Sequence, residues 1–168
     1  MSKQPVIFTQ NISESIDEIL SRYSYDKLFV LTDRNTFKFA FPLLENSKLC
    51  SNAEQIIIEA DDTHKNLEAL TSVWKILSDK HATRRSFMIN LGGGMVTDLG
   101  GFAASTFKRG IRYINIPTTL LGAVDAAVGG KTGINYNGLK NEIGVFNPAE
   151  SVLISTVFFK TLSREHLL

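Results

Sequence analysis

The chain has 168 residues, of which 43% are hydrophobic, 10% aromatic and 21% charged, with 18 Lys and Arg against 17 Asp and Glu. One globular domain accounts for that length, and it buries roughly 70% of its unfolded surface, so it holds a core without the disulfides that a single cysteine, Cys50, cannot form within the chain. A net charge of +1 leaves no basic stripe for a nucleic-acid backbone, no stretch reaches the roughly 18 to 20 apolar residues of a membrane span, and the start lacks a basic segment followed by an apolar one; nucleic acid and membrane are excluded as main partners, and a cytoplasmic location is expected.

In chain order, short apolar runs rich in β-branched or aromatic residues at 6–8, 28–31, 56–58, 87–91, 111–116 and 152–154 are predicted strands. Helical faces lie between them: Ile12, Ile16, Ile19, Leu20 and Tyr23 share one, and Leu67, Leu70, Trp74 and Leu77 another. Strands apolar on both faces, alternating with helices, predict an α/β fold: a Rossmann-like, mostly parallel sheet with helices on both faces. An α+β domain with a mixed sheet is the alternative.

Two stretches break the alternation. Residues 92–101 hold five glycines directly after a predicted strand. A strand running into Gly92, Gly93 and Gly94 and then a helix gathers free backbone N–H groups at the positive end of a helix dipole, which is a phosphate cradle. The same residues also suit a plain tight turn. The dinucleotide fingerprint itself fails, because Thr97 stands where its third glycine belongs. Asp98 falls in the first helical turn, where it complements the dipole. Residues 129–146 carry too many glycines and asparagines for a helix, and Asn137-Gly138 suits a turn with positive φ, so a glycine-rich hairpin or a long functional loop is expected there.

Other positions carry paired readings. Thr118 and Thr119, after Pro117, either cap a helix or meet a ligand. Asp33, just past a strand, either accepts from a ribose hydroxyl or caps a helix. Lys131, Lys140 and Asn141 in the glycine-rich stretch, with Arg109, suit a phosphorylated or carboxylated substrate, although lysines in loops are often simply solvated. His64, His81 and His166 have no metal-ligand spacing. Ser163 and the residues after it read as an N-cap and the first turn of a helix that stops, so the chain is expected to be a piece of a longer protein.

Three long motifs in order, LGGGMVTDLGGFAASTFKRGIR (91–112), IPTTLLGAVDAAVGGKTGIN (116–135) and GLKNEIGVF (138–146), strongly resemble 3-dehydroquinate synthase, and FFKTLSRE (158–165) resembles the handover from its nucleotide domain to its helical domain. The resemblance implies the family's N-terminal NAD-binding domain over residues 1–162, with 163–168 opening a helical domain. It also implies the family's reaction, in which 3-deoxy-D-arabino-heptulosonate 7-phosphate becomes 3-dehydroquinate and phosphate on the shikimate route to aromatic amino acids. NAD serves there as a recycled oxidant alongside a divalent metal, zinc or cobalt.

Carried over residue by residue, the match places Asp33 and Asn35 at the adenosine end of NAD, and Asp62 and Lys65 in the family's Asp-Gly-Glu-x-x-Lys element, with Asp62 in place of Glu. Gly93, Gly94, Met95, Val96 and Asp98 fall on the pyrophosphate loop, where a β-branched Thr97 has room to point outward. Thr118, Thr119 and Leu121 fall on the nicotinamide side, with Phe158 and Thr161 completing the pocket. Asp125, Lys131, Lys140 and Asn141 match groups that touch substrate, NAD or both. Arg109 matches an arginine that reaches across a homodimer to the partner's substrate phosphate. The family's metal ligands, a Glu and two His, have no counterpart in this chain, so the piece is expected to bind NAD weakly and not to catalyse. A related sugar phosphate cyclase making valiolones or deoxy-inososes, a glycerol-dehydrogenase-like oxidoreductase and a stand-alone nucleotide-binding module are the alternatives.

Overall fold

The computed structural model describes residues 4–161. Six strands, β1 (Val6–Phe8), β2 (Leu28–Asp33), β3 (Glu54–Ile58), β4 (Phe87–Gly92), β5 (Arg112–Pro117) and β8 (Ser151–Ile154), form one sheet in the order β1-β8-β5-β4-β2-β3 with every pair parallel. Each predicted strand is present, with ends shifted by a residue or two. The glycine-rich stretch is a separate antiparallel hairpin of β6 (Lys131–Tyr136) and β7 (Leu139–Phe146), turned by Asn137 at φ 53° and Gly138 at φ 76°. Five helices accompany the strands: α1 (Ile12–Leu20), α2 (Arg34–Phe39), α3 (Leu67–Asp79), α4 (Gly94–Thr106) and α5 (Leu120–Val128).

The central strands are buried on both sides because successive residues serve two cores. From β2, Phe29 and Leu31 pack with α3 and α4 through Leu70, Val73, Leu99 and Ala103, whereas Leu28 and Val30 pack with α1 through Ile16 and Leu20. Helix α5 lies on the α4 side, where Ala123 meets Val152 and Ile154. Helices therefore cover both faces, as strands apolar on both faces require. Two helical faces differ from the sequence expectation. Tyr23 lies beyond the end of α1, and Leu67, in the first turn of α3, is exposed while Val73 fills the core, because the sheet contacts begin one turn further along. Helix α2 buries no residue; its capping box, the stacking of Phe37 on Phe41 and the Arg34–Glu59 ion pair hold it. No helix among the described residues is long and apolar enough to cross a membrane. The expected helical turn at 163–168 lies outside the described residues.

Candidate functional site

The carboxyl ends of β4 and β5 open onto the start of a helix each. Gly93 is the N-cap of α4 and offers no side chain to it; the first helical bond runs from Thr97 N to Gly93 O at 3.1 Å, which leaves the amides of Gly94, Met95 and Val96 without intrahelical acceptors. Val96 folds back over Gly92, where an added Cβ would come within 2.6 Å of it. Thr118 N donates to Gly92 O at 2.9 Å, and Thr119 caps α5 by accepting from Gly122 N at 2.9 Å. A Cβ on Gly122 would stand 3.3 Å from Gly94 N, so the two helix starts lie side by side and their positive ends converge.

A buried cation faces this pair. Lys65, only 4% exposed, follows the short 3-10 turn Asp62–His64; its Nζ donates to Asn141 Oδ1 at 2.6 Å and to Asp98 Oδ2 at 3.1 Å, and pairs with Asp62 Oδ1 at 3.7 Å. Its carbonyl accepts from Asn135 N at 2.8 Å, Asn135 Nδ2 donates to Asp62 O at 3.2 Å, and Asn141, at φ 53°, donates its N–H to Asn135 Oδ1 at 2.9 Å. Lys65 is thus the tie between the start of α4 and the hairpin. Burial raises the Asp98 carboxyl above its ordinary value, Lys65 opposes that rise, and the charges of Asp125 and Asp62 add to it.

Between α4, α5 and the hairpin lies a cleft of about 680 Å³ lined by Asp98, Asn115, Asp125, Lys131, Asn141 and Phe146, among others. The hairpin lies close on α4 because Gly101 has no side chain, a Cβ there falling 2.6 Å from Thr132 Cγ2. Its root is pinned by Gln4, whose Oε1 accepts from Ala149 N at 2.9 Å and whose Nε2 donates to Ala126 O. Gln4, Asn90, Asn115 and Asn135 were not among the expected site residues; only the two amides inside apolar strands, Asn90 and Asn115, carry a sequence signal that marks them.

The other expected residues fall as follows. Asp33 is the N-cap of α2, its Oδ1 accepting from Thr36 N at 2.8 Å and from Thr36 Oγ1 at 3.2 Å, and Asn35 is exposed on that helix. Thr97 does not point outward. It is 6% exposed and its hydroxyl donates to Gly93 O at 3.4 Å and Gly94 O at 3.3 Å, because a threonine hydroxyl reaches the carbonyls three and four residues back, Gly93 O also accepting from Thr97 N. Leu121 and Lys140 are exposed, on α5 and β7. Arg109 lies just past the far end of the 13-residue α4, about 20 Å along the helix from the glycine turn, and is not brought to the cleft. Phe158 is not brought there either; it is buried in the α1-side core. Of Thr161 only the backbone, in the closing 3-10 helix Thr156–Thr161, is described. Among the described residues no group of three or more His, Cys, Asp or Glu is placed to hold a metal ion.

A parallel sheet covered on both faces, with a cleft outside its carboxyl ends and free helix-start amides at the rim, defines a nucleotide-binding α/β domain of the doubly wound kind. Residues 55–168 match the family described as 3-dehydroquinate synthase N-terminal, and the chain belongs to that family. A 3-dehydroquinate synthase from Parabacteroides distasonis is 51% identical over 168 residues, all of this chain and 48% of that relative. One from Clostridium tetani is 45% identical over 139 residues, 83% of this chain and 37% of the relative. Among solved structures, the 2-epi-5-epi-valiolone synthase of Streptomyces hygroscopicus, with NAD+ and Zn2+ bound, superposes with a TM-score of 0.84 at 28% identity, covering 99% of this chain and 46% of that one. The chain spans about half the length of the curated relative it matches along its whole length, 48%.

Proposed function

We propose that this chain is the NAD-binding half of a 3-dehydroquinate synthase, acting within a longer protein that converts 3-deoxy-D-arabino-heptulosonate 7-phosphate to 3-dehydroquinate and phosphate. The observation that carries the reading is the buried Lys65, held against Asn141 and against Asp98 of α4, the helix whose first three amides have no intrahelical acceptor. The residues fit a dinucleotide: the amides of Gly94, Met95 and Val96 receive the pyrophosphate, and the glycines at 93 and 122 keep the approach free of side chains. Asp33 Oδ2, outside the capping box, accepts from the ribose at the adenosine end, next to Asn35. When bound, NAD supplies a hydride acceptor that is regenerated within each turnover. Thr118, Thr119 and Leu121 border the nicotinamide side, and Asp125, Lys131, Lys140 and Asn141 meet the substrate from the cleft and hairpin, the two ammonium groups offsetting its negative charge.

In this reading the divalent metal, zinc or cobalt, is held by the part of the longer protein that this chain does not span. The nucleotide domain occupies residues 1–162, the protein is a cytoplasmic homodimer, and Arg109, set apart at the end of α4, serves the partner's substrate phosphate. The chain alone binds NAD and releases no phosphate. The likeness to the valiolone synthase supports a second reading with the same cofactor site and a different cyclic product; phosphate release by the longer protein across the candidate sugar phosphates separates the two.

The cofactor assignment is tested by calorimetric titration of the 168-residue chain with NAD, repeated on Lys65→Ala and Asp33→Ala. Saturable binding weakened by both substitutions is expected. A folded chain that binds no NAD, or variants that bind as the parent does, would reject it.

A further inference from the structure

Asn115 sits on β5, in the middle of the sheet, between the fully buried Ile114 and Ile116, and is itself 8% exposed. Across the β4–β5 ladder it lies in register with Asn90, whose Nδ2 donates to Asn115 Oδ1 at 3.0 Å. A pair of amides inside a parallel sheet is an expensive choice, and here it leaves Asn90 Oδ1 buried with no hydrogen-bond partner among the described residues. Room for it comes from α4: a Cβ on Gly100 would strike that same oxygen. A leucine or valine at either position would fill the layer without this cost.

The arrangement fixes how Asn115 is oriented. Its carbonyl oxygen is occupied by Asn90, so its amide nitrogen is left as the outward group, and that nitrogen has no acceptor among the described residues while Asn115 lines the cleft with Asp98 and Asp125. The result is a hydrogen-bond donor, more than nine-tenths buried and held in place, facing the space between α4 and α5. Position along the sheet says which part of a ligand it meets. The adenosine residue Asp33 is on β2 and the pyrophosphate amides follow β4, whereas β5 is the next strand on the opposite side of β4 from β2. A dinucleotide running from β2 across the α4 start therefore brings its far end over β5.

We infer that Asn115 is a further cofactor-binding residue, its Nδ2 donating to the carboxamide oxygen at the nicotinamide end of NAD, with Asn90 as the residue that positions it. This rests on the cofactor reading above. The test is calorimetric titration of the 168-residue chain and its Asn115→Ala and Asn115→Leu variants with two probes, NAD and ADP-ribose, the second lacking the nicotinamide. Asn115→Leu keeps the branched shape of the side chain and adds no charge, so loss of the donor is tested even where the alanine variant does not fold.

Loss of one uncharged hydrogen bond lowers NAD affinity about threefold to tenfold while ADP-ribose affinity holds within about twofold. In Asn115→Leu, which has neither the donor nor a charge, the ratio of NAD to ADP-ribose affinity falls by the same factor. Equal losses for both ligands would mean a structural disturbance and overturn the assignment, as would no loss for either. A wild-type chain that binds neither ligand would overturn the cofactor reading and the Asn115 assignment together, whereas binding of both with an unchanged ratio in the variants would overturn the Asn115 assignment alone.

Discussion

Replacing Lys65 with methionine removes the ammonium and keeps the length of the buried stem. The Lys65 side chain is 5% exposed, whereas the carboxylates it leaves behind, Asp98 and Asp62, are 35% and 52% exposed. Taking one partner from a fully buried ion pair costs about 3–5 kcal/mol, most of it from the charge stranded without solvent. Here water reaches both stranded carboxylates, and the fold no longer has to desolvate an ammonium. What is lost is the pair of charge-assisted hydrogen bonds to Asp98 and Asn141, and a net destabilisation of about 1–2 kcal/mol is expected. Over a domain of this size that lowers Tm by about 2–8 °C. Denaturant unfolding of parent and variant reads the stability directly. Amide exchange reads the geometry: protection should fall in the hairpin, most of all at the amide of Asn141, while the Asn135 amide keeps its backbone acceptor on residue 65. A Lys65→Met chain as stable as the parent, with hairpin exchange unchanged, would refute the view that this lysine ties the α4 start to the hairpin.

Asp98 should titrate above its ordinary 3.8, because burial outweighs the attraction of Lys65 and the nearby Asp125 and Asp62 add to the rise. Carboxyl carbon NMR reads the midpoint, which should climb further in Lys65→Met; a midpoint at or below 3.8, or a fall in the variant, contradicts this. Since the folded state disfavours the ionised form, this group favours folding as the pH drops from its native midpoint to 3.8 and works against folding above that midpoint. Burial pushes the Cys50 thiol up to about 11, with the hydrogen bond from Ser47 opposing and Asp17 adding, so a thiol reagent at mildly alkaline pH should label Cys50 only at the rate of opening and with the denaturant dependence of unfolding. Rapid labelling of the native chain would show the thiol to be accessible.

Most of the sheet is legible because burial on two sides writes itself as nearly continuous apolar sequence, as in residues 28–31 and, but for Asn90, 87–91. Where burial is one-sided or absent the signal fades. Edge strand β3 begins at exposed Glu54, outside its apolar run, and all eight residues of β7 are exposed, so the hairpin is announced only by its excess of glycines and asparagines, Asn137-Gly138 above all. Helix α2 has no periodicity to read, since it buries nothing and is set by the reciprocal bonds of Asp33 and Thr36. The capping reading of Asp33 was available from its place at a strand end, and its Oδ1 is used in that way.

The site divides along the same line. The glycine turn was readable as a phosphate cradle because its parts are adjacent in sequence, and the structure assembles them from a strand end and one helical turn. The Lys65 tie joins residues separated by 33 and 76 positions, and nothing local to residue 65 marks it as buried; there the resemblance, and not the chemistry of the residues, pointed to the position. Asn90 and Asn115 lie between these cases. Each is an amide in an apolar strand, a local anomaly that needs no fold to be noticed. Their pairing, 25 residues apart, follows only from the β4–β5 register. A polar residue in a buried strand either finds a partner or serves one that arrives later, and the geometry of Asn115, with its acceptor taken and its donor facing the cleft, fits the second description.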